Sequence, residues 1–241
     1  MEITSLTNPK YKQWLKYQQK KYRNQDKKFL IEGKHLIEEA HKANLIECII
    51  ILENTKNPFP EYPTYEIPSK LMEKLTMHVS SETIMAVCHY FNSTLTNKDK
   101  LIILDNVQDP GNIGTIIRSA YSFGYDGIIL SDNSCDIYND KLIRSTKGSI
   151  FHIPVIQTNI HDFIDTLSNE SYHLYATTLE NSTPLKQVTP QYPLAIILGN
   201  EGNGITKEII AKCTDNITIE MQNFESLNVA IAASICMYKF M

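Results

Sequence analysis

The sequence has no hydrophobic run long enough to cross a bilayer, and no two of its cysteines stand at Cys-x-x-Cys spacing. Its first ten residues also lack the apolar stretch of a secretory signal peptide. We therefore expect a cytoplasmic protein with reduced thiols, no membrane segment and no zinc site. The cysteines are scattered along the chain, at Cys48, Cys88, Cys135, Cys213 and Cys236.

Basic side chains are fewer than acidic ones, 23 against 27, so the 241 residues carry a net charge of −4. Residues 1–28 are the exception, with eight basic side chains against two acidic ones. A basic segment on an acidic protein is typical of a local contact with phosphate groups. The residues predicted to bind nucleic-acid phosphates in this segment are Lys10, Lys12, Lys16, Lys20, Lys21 and Arg23.

Four aromatic residues stand among these charges, at Tyr11, Trp14, Tyr17 and Tyr22. Aromatic faces can stack on unpaired bases, which is one interpretation of their position. The alternative is a solvated helix whose aromatic face turns to the core. The sequence leaves both open.

The first 90 residues alternate short helical and strand-like patterns. We predict helices at 8–25, 35–43 and 69–75, strands at 28–32, 46–52 and 84–90, and a loop with three prolines at 54–65. These elements make a small α/β domain over residues 1–90. Residues 91–100 are polar and aperiodic, and they are the predicted linker.

From residue 101 onward, apolar runs and helix-like segments alternate regularly. This alternation predicts an α/β domain over residues 101–241 with a mostly parallel sheet that is covered on both faces. The predicted strands are 101–104, 127–130, 151–156, 173–177, 194–198 and 217–221. The predicted helices are 114–123, 139–146, 160–168, 206–212 and 229–240.

The segment 104–124 places a turn and a helix directly after a buried strand. It reads LDNVQDPGNIGTIIRSAYSFG, in which DPGN has turn chemistry and the helix is predicted to start at 112–114. Arg118 lies one turn into that helix, among apolar residues. It either forms a structural ion pair with Asp105 or Asp109, or it binds a phosphate or a substrate hydroxyl at the strand ends.

A second turn follows the apolar run 194–198, with Glu201 among three glycines, and a third loop at 224–228 reads FESLN. Open α/β sheets bind their ligands where strands end in loops, and glycine lets the backbone approach a ligand closely. For either loop alone, an ordinary turn between strand and helix is the alternative.

Taken in order, LDNVQDPGNIGTIIRSAYSFG, LGNEGNGI and FESLNVAIAAS resemble the three motifs of the SpoU/TrmH family of SPOUT-class RNA 2′-O-ribose methyltransferases. The resemblance covers residues 101–241 and includes the N-x-G-x-x-x-R pattern of Asn112, Gly114 and Arg118. It implies a deep trefoil knot, S-adenosyl-L-methionine as the cofactor and a homodimer. Residues 1–90 resemble, more loosely, the RNA-binding domain of many members, so the expected substrate is structured RNA, ribosomal before transfer RNA.

The resemblance also implies roles for single residues. Arg118 would act on the target ribose 2′-hydroxyl or the adjacent phosphate, and Asn112 would hold it in place. Glu201 would order the second loop, while Ser226 and Asn228 would order the third. The residues expected to contact the cofactor are Thr177, Leu198, Gly199, Ile219, Met221 and Leu227.

The residue types suit that chemistry, since a ribose hydroxyl is a poor nucleophile until it begins to lose its proton. An arginine has too high a pKa to be a comfortable base, so we favour electrostatic stabilisation of the developing alkoxide. No metal is required. Asp132, Asp136 and Asp140 are spaced i, i+4 and i+8, but they lack the rest of a calcium-binding pattern and are interpreted as turn and cap residues.

The loop before the third motif departs from the family pattern. Many members read Ile-Pro-Met and then a glycine turn, whereas residues 219–224 lack the Pro and the Gly. We therefore expect a differently shaped cofactor loop in which Asn223 turns the chain.

Two interpretations are open for Arg144, which either contacts RNA or belongs to a solvated face. The alternatives to an enzyme of this class are a non-catalytic RNA-binding or ribosome-assembly factor and a Rossmann-type nucleotide enzyme, whose glycine spacing is absent.

Overall fold

The structure, a computed structural model, describes residues 1–76, 82–91, 93–96, 99–223 and 226–241. The chain divides into two compact units. The first comprises Met1–Asn92 and Tyr138–Phe151, and the second comprises Ser93–Ile137 and His152–Met241. The sequence pattern predicts that residues 138–151 belong to the second domain, whereas the structure places them in the first unit. The linker at 91–100 stays a prediction.

The secondary structure alternates between strands and helices along most of the chain. The strands are Lys28–Glu32 (β1), Ile46–Leu52 (β2), Thr64–Ile67 (β3), Ile84–His89 (β4), Lys100–Leu104 (β5), Gly127–Ser131 (β6), Val155–Thr158 (β7), His173–Thr177 (β8), Thr183–Pro184 (β9), Leu194–Leu198 (β10) and Asp215–Thr218 (β11). The helices are Pro9–Lys16 (α1), Lys20–Asp26 (α2), Lys34–Lys42 (α3), Ser69–Leu75 (α4), Pro110–Ser122 (α5), Asp140–Thr146 (α6), Ile160–Asn169 (α7), Lys207–Ile210 (α8) and Val229–Lys239 (α9).

The predicted helix at 8–25 is wrong in one respect, because the chain breaks between α1 and α2. The side-chain amide of Gln18, in the break, donates to the carbonyls of Lys74 and Leu75 at the end of α4. A tertiary contact thus outweighs the good local helix propensity of this segment.

Two strands were missed. β3 emerges from the proline-rich stretch and pairs in parallel with β2, while the two-residue β9 pairs with β11. The strand predicted at 151–156 begins later, at Val155, after a 3₁₀ turn at Ser149–Phe151. The strand predicted at 217–221 is shifted to Asp215–Thr218.

The first unit is built on a sheet of order β1-β4-β2-β3, in which β4 runs antiparallel to both of its neighbours. Tyr11, Trp14 and Tyr17 are at most 1% exposed and belong to its core. The Tyr11 hydroxyl donates to the Leu71 carbonyl at 2.8 Å, and the Trp14 ring meets Tyr65 edge-on at 5.2 Å. These three rings are therefore core residues, and the interpretation that they stack on bases is wrong.

Tyr138, at the start of the 138–151 segment, has aromatic contacts that explain why this segment joins the first unit. Its ring stacks on Tyr90 with 3.5 Å between centroids and lies 5.1 Å from Phe29. Phe29 and Tyr138 are buried. Aromatic rings of this size bury enough apolar surface to dominate local packing, so the segment associates by hydrophobic contact that its sequence position does not reveal.

The second unit is built on a seven-stranded sheet of order β7-β6-β5-β10-β8-β11-β9, and all of its pairings are parallel. This confirms the predicted parallel α/β architecture. β10 lies between β5 and β8, with Leu198 opposite Leu104. The carboxyl ends of β5 and β10 therefore open side by side, and the backbone N–H of Asp105 continues the pairing to the Leu198 carbonyl.

Helices cover both faces of this sheet, which explains why β10 is apolar at every position and β5 at every position after Lys100. Ile103 and Ile197 pack with Ile164 of α7 on one face. On the other side of the unit, α9 packs against α5 and β10. Within the described residues, no helix has the length and apolar character needed to span a membrane.

Candidate active site

The amide of Asn112 connects the three loops at the carboxyl edge of the second sheet. Its Nδ2 donates to Oε1 of Glu201 at 2.5 Å, and its Oδ1 accepts from Nδ2 of Asn228 at 3.0 Å. Asn112 is held in turn by Asp109, the N-cap of α5, whose carboxylate accepts from the Asn112 backbone N–H at 2.9 Å. Three segments that are far apart in sequence thus meet at one side chain.

Gly199 is required by the way the turn after β10 folds back on itself. A Cβ atom at this position would lie 2.0 Å from the Gly204 carbonyl carbon, closer than any real contact. The backbones of Asn200 and Gly204 exchange two hydrogen bonds, and Gly204 has a φ of +67°. The turn that carries Glu201 is therefore closed by backbone contact.

Asn200 was not singled out from the sequence, and Asp105 was considered only as a partner of Arg118, yet both shape this edge. Oδ1 of Asn200 accepts from the backbone of Gly202 at 2.8 Å, and its Nδ2 donates to the Asn106 carbonyl at 3.0 Å. Asp105 is 2% exposed, and its carboxylate accepts from the backbone N–H of Thr206 at 2.9 Å. The sequence does offer a signal for Asp105, because a carboxylate directly after an apolar strand tends to be buried. A buried charge needs a hydrogen-bonding partner.

Arg118 is exposed on α5, contrary to the expectation that it lies among the apolar residues. In the part of the chain that the structure describes, it forms no ion pair with Asp105 or Asp109. Within the described residues, Arg118 therefore does not serve as the partner of a structural ion pair with either aspartate. A guanidinium with no carboxylate partner can bind an anion or a hydroxyl of an incoming ligand.

A cavity of about 640 Å³ opens beside Glu201 and Ser226, between the loops that follow β8, β10 and β11. Every residue expected to contact the cofactor lines it: Thr177, Leu198, Gly199, Ile219, Met221 and Leu227. Thr177 is oriented by a hydrogen bond from its hydroxyl to the Ile197 carbonyl at 3.0 Å. The volume is within the roughly 300–1,000 Å³ of small-molecule sites.

Cys236 of α9 also lines this cavity and is 1% exposed. Burial raises the pKa of its thiol to about 12. The thiol is therefore protonated at neutral pH, and it acts as an apolar wall residue and not as a nucleophile.

The loop that departs from the family pattern still reaches the cavity, through Ile219 and Met221. Asn223 is not among the residues with positive φ, so it does not supply the expected left-handed turn. Phe224 and Glu225 lie outside the described residues. The shape of the whole 220–224 loop therefore stays a prediction.

The predicted RNA-binding side chains differ in exposure. Lys12, Lys16, Lys20 and Lys21 are exposed. Lys10 is partly buried; it donates to the Tyr65 hydroxyl at 2.5 Å, and this hydrogen bond raises the pKa of Lys10.

Two arginines of the predicted set are engaged within the protein. The Arg23 side chain is 6% exposed and donates to the Tyr17 carbonyl at 2.9 Å, which makes it a structural residue. Nε of Arg144 bonds Oδ2 of Asp140 at 2.9 Å on α6, with the side chain 35% exposed. Arg23 is therefore a poor candidate for RNA contact, and Arg144 a partly available one.

Metal-ligating side chains do not cluster in the described ranges, where no three His, Cys, Asp or Glu residues come together. Asp132, Asp136 and Asp140 accordingly form no such group there.

Known proteins resemble this chain over both units. The SpoU rRNA Methylase family matches residues 99–238, and the MRM3-like substrate binding domain matches residues 8–86. The chain is 37% identical over 242 residues to the 23S rRNA (guanosine(2553)-2′-O)-methyltransferase RlmP of Bacillus subtilis (strain 168), covering 98% of each. It is 29% identical to the uncharacterized tRNA/rRNA methyltransferase slr1673 of Synechocystis, covering 98% of this chain and 92% of the relative.

A solved structure is similar over nearly the whole chain. The AdoMet-bound rRNA methyltransferase from Sinorhizobium meliloti superposes with a TM-score of 0.89 at 28% identity, covering 99% of this chain and 96% of that one. The resemblance predicted from the three motifs, and the fold class with its small N-terminal α/β part, are thereby confirmed.

Proposed function

The chain belongs to the SpoU rRNA Methylase family, and from this premise we propose that it methylates a ribose 2′-hydroxyl of ribosomal RNA with S-adenosylmethionine as the cofactor. The observation that carries the proposal is the junction at Asn112, which joins Glu201 and Asn228 beside the 640 Å³ cavity. RlmP, by its name, acts on a guanosine of 23S rRNA. A guanosine of 23S rRNA is accordingly the proposed target.

The cavity suits the cofactor by its shape and lining. Gly199 lets the Gly204 backbone close against the end of β10, and this closed turn forms one wall of the cavity. Apolar walls formed by Leu198, Ile219 and Leu227 suit an adenosyl group, while Glu180 and Glu201 bring negative charge for a cationic ligand. These residues, with Thr177 and Met221, would hold the cofactor.

When bound, the cofactor supplies a methyl group that is already activated by its sulfonium, so the protein has chiefly to position the acceptor. Asn112 and Glu201 fix the loop edge against which the target ribose would lie. Arg118 is exposed, and within the described residues it has no carboxylate partner. It would stabilise the alkoxide that develops on the 2′-oxygen. A guanidinium stays protonated and is a poor base, which argues against literal proton abstraction.

The first unit would hold the folded RNA, which the match to a substrate binding domain supports. The exposed lysines Lys12, Lys16, Lys20 and Lys21 would contact phosphates there. RNA helices are read mainly by shape and backbone, so a separate basic unit suits a structured target.

We further propose a homodimer that uses the outer face of α9. Ile231, Ile235 and Tyr238 recur at helical spacing and are 53%, 38% and 66% exposed, with Tyr121 of α5 at 49%. Exposed apolar patches of this kind favour protein contact, and a self-complementary surface closes a twofold dimer.

The deep trefoil knot and the cytoplasmic location also remain proposals. Support for the knot comes from the strand order, which inserts the late strand β10 between β5 and β8. In the part of the chain that the structure describes, the cysteines are thiols and form no disulfide, which favours a reducing compartment.

The test is calorimetric binding of S-adenosylmethionine together with transfer of its methyl group to 23S rRNA, for the wild type and for Arg118→Ala. We expect both proteins to bind the cofactor with similar affinity, because Arg118 does not line the cavity. Methyl transfer should fall by roughly 10²–10³-fold in the variant, as when a group that stabilises a developing anion is removed.

Near-normal turnover by a folded Arg118→Ala protein would exclude the proposed role of this residue. A folded wild type that binds RNA but not the cofactor would instead be a non-catalytic RNA-binding member of the family.

A further inference from the structure

A second cavity of about 570 Å³ lies next to the first at the same edge of the sheet. Asn106 and Gln108, on the loop after β5, form one side, and Lys207 and Glu208 of α8 form the other. Its volume is also typical of a ligand site.

The turn that carries Glu201 separates the two cavities. Asn200, Asn203, Gly204 and Ile205 line both of them, and so does Lys207 at the start of α8. Asn200 holds this wall by its bonds to Gly202 and to the Asn106 carbonyl, so the partition is a fixed part of the site. A target ribose held against Glu201, as proposed above, would bring its base beside this wall. Because the residues of the first cavity would hold the cofactor, the second cavity would be the space left for the base.

The second cavity displays hydrogen-bonding groups that suit a purine edge. In the described residues, the side chains of Asn203, Lys207 and Glu208 have no hydrogen-bond or ion-pair partner. Guanine presents two donors, N1–H and the N2 amino group, next to the acceptor O6. A carboxylate accepts from both donors, while an ammonium or amide donates to O6. Adenine has an unprotonated N1, which a carboxylate repels.

Resting on the function proposed above, we propose that this second cavity receives the unstacked guanine of the target nucleotide. Glu208 accepts from N1–H and N2–H, and Lys207 or Asn203 donates to O6. Enzymes that modify nucleotides commonly take the base out of its stack and bind its Watson–Crick edge, which gives them selectivity. Glu208 is then a specificity-determining residue for guanosine over adenosine.

The test uses the full-length protein and fragments of 23S rRNA that carry guanosine or adenosine at the position methylated by the wild type. Single-turnover methyl transfer is measured for the wild type, for Glu208→Gln and for the control Asp162→Asn. Asp162 is an exposed carboxylate of α7 that lines neither cavity. Cofactor affinity is measured in parallel by calorimetry.

We expect Glu208→Gln to lower transfer to guanosine by on the order of 10–100-fold, the discrimination of one bidentate base contact. Transfer to adenosine should rise relative to guanosine, because glutamine donates to N1 and accepts from the N6 amino group. Cofactor affinity should stay unchanged, and Asp162→Asn should behave as the wild type does.

An unchanged guanosine-to-adenosine ratio in Glu208→Gln would overturn the base site and leave the methyltransferase intact. A wild type that binds the cofactor but modifies no RNA would overturn the proposed function, and the base site with it.

Discussion

Asn112 of helix α5 donates its side-chain amide to the carboxylate of Glu201 at 2.5 Å, across 89 positions of sequence. The same amide accepts from Asn228, the N-cap of α9. One residue therefore ties together the loops after β5 and β10 and the start of the last helix.

Replacing Asn112 with alanine should lower methyl transfer by on the order of 10²-fold. Glu201 and Asn228 would each lose a partner, and small displacements of positioning groups have effects of this size. Thermal denaturation should change little, because both bonds are on the protein surface. Thr115→Ala, on the exposed side of the same helix, is the matched control. Full activity of Asn112→Ala would show that the junction is dispensable.

Gly199→Ala should abolish cofactor binding and lower the melting temperature. The new Cβ would lie 2.0 Å from the backbone of Gly204, so the turn must open. Overpacking of this kind destabilises by about 1–3 kcal/mol. The matched control is Gly202→Ala in the same turn, whose Cβ would have its nearest neighbour at 3.4 Å. Calorimetry and thermal denaturation measure both effects. Equal behaviour of the two variants would contradict the steric argument.

Ile231→Asp should convert the proposed dimer into a folded monomer. Ile231 is 53% exposed at the start of the apolar face of α9, so a carboxylate there costs little in a monomer but is buried in a dimer. Sedimentation velocity gives the mass, and circular dichroism shows whether the fold persists. Thr166→Asp on α7 serves as a surface control. A wild type that sediments as a monomer at micromolar concentration would rule out this interface.

Replacing Lys20 and Lys21 together by alanine should weaken RNA binding at low salt and flatten its salt dependence. Each phosphate contact that is lost removes about one unit from the slope of log affinity against log salt. Filter binding to a 23S rRNA fragment at several salt concentrations measures the slope. Lys186→Ala, an exposed lysine of the second unit, is the control. An unchanged slope would place the RNA elsewhere.

Much of the fold follows from local patterns in the sequence. The strands β2, β8 and β10 were predicted with their observed bounds, because buried strands concentrate apolar residues in short runs, without interruption in β10. The same patterns were misleading where tertiary contacts decide. The helix at 8–25 breaks because Gln18 finds carbonyl partners on α4, and β3 forms because β2 offers it an edge.

The candidate site could be predicted as a set of residues but not as an arrangement. The glycine turn and Arg118 were recognised from their motifs, whereas Asn200 and the cavity lined by Glu208 carry no local signal. Asp105 stands out as a carboxylate after an apolar strand, but its partner Thr206 does not follow from the sequence. Their roles come from hydrogen bonds and walls that form only when β5 and β10 lie side by side.

The sequence by itself determined which segments are buried strands, where the turns fall, and which chemistry the three motifs resemble, since these depend on neighbours along the chain. Only the tertiary structure decided that Trp14 and Tyr17 are core residues, that Tyr138 belongs with the first unit, and that Asn112 meets Glu201. Those contacts join positions distant in sequence, and their partners are set by packing rather than by local propensity.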